Sequence, residues 1–85
     1  MITTKDILEL GLEHVGTTLN GGSKLFRISK TFALVSNADN TLIDESKRNE
    51  IIIKRVTPDL NWDVLYTGTP DIYELEKVLE KIKDL

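Results

Sequence analysis

Ile51-Ile52-Ile53 is the stretch that most constrains how this chain folds. Three β-branched residues in a row favour a strand, and successive strand side chains point to opposite faces. Such a strand is apolar in both directions. A sheet that is wet on one side alternates apolar and polar residues. Leu25-Phe26 and Phe32-Ala33-Leu34-Val35 break that alternation as well. The central strands therefore call for cover on two sides. With 85 residues, 40% of them apolar and 29% charged, the chain reads as a single domain, residues 1–85, with a thin stability margin. At about 25 cal/mol per Å² of buried apolar area, several uncovered aliphatics forgo several kcal/mol, a serious fraction of that margin.

The rest of the chain sets out what is available for cover. Thr4 is expected to cap a short first helix over Lys5 to Leu10, with Gly11 as its stop. Leu12 to Leu19 reads as an irregular first strand, and Asn20-Gly21-Gly22 as a tight hairpin turn. If Ser29-Lys30-Thr31 is a three-residue loop, Phe26, Ile28, Phe32 and Leu34 share one face. Asn37 to Glu50 is a polar excursion that Leu42 and Ile43 are expected to pin back. Thr57 to Asn61 forms a turn around Pro58, and Trp62 to Thr67 is its partner strand. Thr69 as cap, Pro70 at the first helical position and Asp71 open a final helix. Its apolar stripe is Ile72, Leu75, Val78, Leu79 and Ile82. The fold class is α+β: a short N-terminal helix, an antiparallel meander of about five strands, and a C-terminal amphipathic helix on one sheet face. That helix covers one face, and the first helix is expected to shield part of the other. The remainder falls to the 37–50 excursion or to another molecule, a two-fold homodimer being the commonest arrangement.

Motifs for chemistry are sparse. The chain has no cysteine, which removes disulfide, thiolate and zinc–thiolate sites. Gly16-Thr17-Thr18-Leu19-Asn20-Gly21-Gly22-Ser23 approaches a phosphate-binding loop, but glycine stands in place of its lysine and a strand follows instead of a helix. Asn37, Asp39, Thr41, Asp44 and Glu45 offer oxygen ligands, yet Leu42 and Arg48 occupy the positions where a calcium loop needs glycine and glutamate. His14 is the single histidine, so a His-pair metal site is excluded and any triad rests on it alone. No nucleophile-and-base signature appears. The expectation is a non-enzymatic chain with no catalytic residue, metal or cofactor.

Eleven basic and fourteen acidic side chains give a net charge of −3, unevenly spread. Residues 24–37 carry Lys24, Arg27 and Lys30 without an acid, and residues 51–57 carry Lys54 and Arg55 likewise. These five form a candidate basic face for a nucleic acid or other acidic partner. Lysine and arginine on strands also serve to discourage edge-to-edge pairing, and the negative total speaks against a nucleic-acid role. Trp62, Val64 and Tyr66 share one face in strict alternation. Together with Ile52 they form a candidate interface if exposed, or core beneath the last helix if buried. The functional expectation is a small interaction module that self-associates or binds a protein partner through an apolar sheet face. The alternative is a nucleic-acid-associated protein using the basic strand residues. No run reaches the ~18 apolar residues of a membrane span, and the opening Met1-Ile2-Thr3-Thr4-Lys5-Asp6 lacks a signal-peptide layout. A cytoplasmic location is expected.

Thr4-Lys5-Asp6-Ile7-Leu8-Glu9-Leu10-Gly11, followed by a meander, a Trp62-bearing strand and a terminal amphipathic helix, resembles small uncharacterised proteins of Bacteroidetes genomes and their phages. In that group an aromatic often follows the glycine, where this chain has Leu12. The resemblance implies a bacterial or phage origin and an accessory, non-catalytic role, and it transfers no activity.

Overall fold

The computed structural model describes residues 2–19, 21–59 and 61–84. Helix α1 (Thr4–Glu9) is followed by strands β1 (Glu13–Thr17), β2 (Lys24–Arg27), β3 (Phe32–Ser36), β4 (Ile51–Val56) and β5 (Trp62–Gly68), and helix α2 (Ile72–Lys83) closes the chain. The five strands pair antiparallel in sequence order, β1-β2-β3-β4-β5. This is the expected α+β meander with a helix at each end.

Local chemistry explains the boundaries. The cap of α1 is Thr3, one residue before the expected Thr4. Thr3 Oγ1 accepts from the Asp6 N–H at 3.1 Å, and the Asp6 carboxylate accepts from the Thr3 N–H at 3.0 Å. Thr3 wins because the residue three positions on is an acid that bonds back, which Ile7 does not offer to Thr4. Gly11 ends the helix at φ +89°, a conformation suited to glycine. At α2 the cap is Asp71 rather than Thr69; its carboxylate accepts from the Glu74 N–H at 2.8 Å, so Pro70 precedes the helix. The first strand is shorter than expected, and its connection to β2 is wider than a tight hairpin. Thr18 and Ser23 close that connection (N···O 2.8 Å), and the left-handed residue is Gly22 at φ +66°. Asn20, on which the tight-turn reading partly rested, lies outside the described residues, as does Leu60 in the β4–β5 turn.

One register expectation proves decisive. Ile28 N–H donates to the Phe32 carbonyl at 3.1 Å, so Ser29-Lys30-Thr31 is the three-residue linker. Phe26, Ile28, Phe32 and Leu34 then fall on one face, which Ile51 and Ile53 of β4 share. Phe26, Leu34, Ile51 and Ile53 are fully buried there against Leu75, Leu79 and Ile82 of α2.

Helix α1 departs from expectation: Ile7 and Ile2 belong to this same core, so both helices cover the same side. The 37–50 excursion joins that side too. Ala38 is buried in the core, and Asp39 accepts from the Thr4 N–H at 2.7 Å, tying the loop to α1. Leu42 does not pin the excursion; it is exposed and rests over Gly22. The anchor is the buried Asn40. Its amide donates to the Gly21 carbonyl at 2.6 Å, its Oδ1 accepts from Leu42 N–H at 2.9 Å, and its carbonyl accepts from Arg48 Nε at 3.0 Å. A polar hub holds the loop because it satisfies loop backbone groups that would otherwise lack partners.

Candidate docking face

The two elements expected as possible cover for the second face, α1 and the 37–50 excursion, thus lie on the first. What remains open is the side formed by alternate residues of all five strands. Leu25 pairs with Val35, and Val35 with Ile52, giving one cross-strand row. Arg27, Ala33, Lys54 and Val64 form the next. A depression of about 300 Å³ opens on this side, lined by Val15, Leu25, Ala33, Val35, Lys54 and Trp62. No residue of either helix or of the 37–50 excursion lines it. Trp62, Val64 and Val15 are each more than half exposed, at 52%, 59% and 53%.

Two bulges decide which side chains belong here. On β1 the register shifts between His14 and Gly16, which leaves Val15 as the extra residue. Val15 stands two residues from Glu13 and shares the open side with it by ordinary alternation, and the bulge keeps Gly16 on that side as well, opposite Leu25. On β5, Ile53 lies opposite Tyr66 while Lys54 lies opposite Val64, so Leu65 is the inserted residue. The insertion breaks the expected alternation of Trp62, Val64 and Tyr66. Trp62 and Val64 stay on the open side, but Tyr66 turns to the helix side and packs against the core beside Ile53. There its hydroxyl lies over Gly68, and a Cβ at that glycine would sit 2.7 Å from it. Burial, and secondarily the Glu74 carboxylate, raises the Tyr66 phenol above its usual range. Ile52, the fourth expected interface residue, is half-buried on the open side.

The five basic residues do not converge. Lys24 alternates with the buried Phe26 and lies opposite Ser36, on the helix side. Arg55 lies opposite Phe32 and pairs with Asp63 at 3.3 Å, also away from the open side. Lys30 is exposed in the β2–β3 turn. Arg27 is on the open side but meets Glu13 at 2.8 Å. Only Lys54 sits among the apolar side chains there without an ion pair among the described residues. His14 stacks obliquely on Phe26, ring centres 5.3 Å apart, and its Nε2 is 2.8 Å from the Gly16 carbonyl oxygen. No helix among the described residues is long and apolar enough to cross a membrane.

The residues that sequence reasoning left out of the site are Val15, Leu25, Ala33 and Val35. Leu25 and Val35 carried a signal: once Phe26 and Leu34 share the core side, their neighbours must share the other. Val15 follows from the facing of Glu13, two residues earlier on the same strand. Comparison of the chain with protein-family models, with curated proteins and with solved structures finds no match, so the reading of this face rests on its geometry.

Proposed function

We propose that the chain is a small, non-enzymatic interaction module that docks a protein partner on the open side of its sheet. The observation that carries this reading is the apolar strip of Val15, Leu25, Val35, Ile52, Trp62 and Val64, which no element among the described residues covers. Apolar patches of this kind, with an aromatic at the margin, are what interfaces bury. A bacterial or phage accessory role, as implied by the resemblance of residues 4–11, suits such a module. A nucleic-acid role lacks comparable support, because it needs Lys24, Arg27, Lys30, Lys54 and Arg55 on one surface, and the pairings distribute them over two.

Differential affinity capture from a bacterial lysate tests the reading, with mass spectrometry and a solution-mass measurement alongside. Val64→Asp spoils the open side, while Tyr73→Ser alters the exposed Tyr73 of α2 and serves as the control. A specific protein held by wild type and by Tyr73→Ser, and lost by Val64→Asp, supports docking here. Equal retention by all three overturns it.

A further inference from the structure

We infer, resting on the docking reading above, that the open side takes an acidic, apolar polypeptide segment whose carboxylate meets Lys54. Lys54 lies on β4 with Ala33 and Val64 as its cross-strand neighbours. Its same-face neighbours along the strand are Ile52 and Val56. All four are uncharged and apolar, and Lys54 itself is half-buried and lines the depression. In the free protein its stem covers apolar surface and its ammonium reaches water. A partner that lays only hydrocarbon on this face strips water from the ammonium and leaves it uncompensated, which is costly. A partner that brings a carboxylate replaces the water with a charge-assisted hydrogen bond.

The same accounting disfavours a second copy as occupant. The charged strand residues on the open side are Glu13, Arg27 and Lys54, and Glu13 is already engaged by Arg27. Two copies face to face would bury two lysines of this kind without a free carboxylate from the strand residues of either face. The local balance is +1 within a chain of net charge −3, so the open side is the attractive spot for an acidic ligand on an otherwise acidic molecule. The strip crosses five strands, or roughly 19 Å at the usual inter-strand spacing. An extended segment of about six residues, or a helix of three to four turns, spans that distance.

Selection from a random peptide library displayed on phage tests the inference, using wild type, Lys54→Glu, Lys54→Met and Val64→Asp, each checked for its fold by circular dichroism. Wild type is expected to enrich segments with Asp or Glu between apolar residues, and Lys54→Glu to enrich Lys or Arg at that place. A recovered peptide resynthesised with Gln for its acid should bind wild type about tenfold more weakly, read by the fluorescence of the single tryptophan, Trp62, and should lose that difference on Lys54→Met. Apolar peptides without an acid would overturn the inference and leave the docking reading standing. Peptides indifferent to Val64→Asp would overturn both. No enrichment, or a stable dimer lost with Val64→Asp, would overturn the acidic occupant, the dimer assigning the face to a second copy.

Discussion

The two sides of the sheet are built from the same kinds of residue and end in different circumstances. On the helix side, Phe26, Leu34, Ile51 and Ile53 have no exposure at all. On the open side their immediate neighbours, Leu25, Val35 and Ile52, are only half-buried, and Trp62 and Val64 are more than half exposed. Strand composition scarcely distinguishes the two. The placement of α1, α2 and the 37–50 excursion does, because all three went to one side. An apolar strand face is therefore a statement about available partners as much as about stability. Here one side found its partners within the chain.

The largest test of that contrast compares the two aromatic residues that mark the sides. Phe26→Ala should lower the unfolding free energy by about 3–5 kcal/mol in urea titration, the usual cost of emptying a buried aromatic site. An equally large loss for Trp62→Ala would mean that the open side is structural, and the contrast would fail. Asn40→Ala should cost about 1–3 kcal/mol, because Leu42 N–H, the Gly21 carbonyl and Asn37 Oδ1 lose a shared partner. It should also raise amide exchange across residues 37–50, showing that the polar hub keeps this loop with the helices.

Tyr66 sharpens the comparison within a single strand. Its phenol is raised by burial, so the folded state favours the neutral ring. That contribution is complete below about pH 10, the unfolded value, and is lost as pH rises through the higher folded value. Stability should fall on this alkaline limb in wild type, and Tyr66→Phe should flatten it. An unchanged limb would mean that Tyr66 is not on the helix side. The smallest effect is expected from Trp62→Ser, within about 0.5–1 kcal/mol of wild type by denaturation, since the residue is half exposed.

Much of this architecture is readable from residues alone. The stripe Ile72, Leu75, Val78, Leu79 and Ile82 marks α2 and its buried side, and the three-residue linker at 29–31 sets the register of the central strands. The unrelieved apolar run at Ile51 to Ile53 points to a sheet needing cover twice over. The two bulges are not readable, since an inserted residue changes facing without changing composition. Tyr66 leaves the site on that account. The side chosen by α1 is likewise settled by long-range contacts, Ile7 with the core and Thr4 with Asp39. Lys54 was visible as a basic strand residue; its isolation among Ala33, Val64, Ile52 and Val56 required the pairing.

The order of the meander also governs how the chain behaves as it leaves the ribosome. Each strand pairs only with its sequence neighbours, so hairpins close early and the sheet zips along as it is synthesised. The helix that seals Phe26, Leu34, Ile51 and Ile53 emerges only after all five strands. For that interval the nascent sheet is greasy front and back, and its need for a chaperone or for dilution is greatest then.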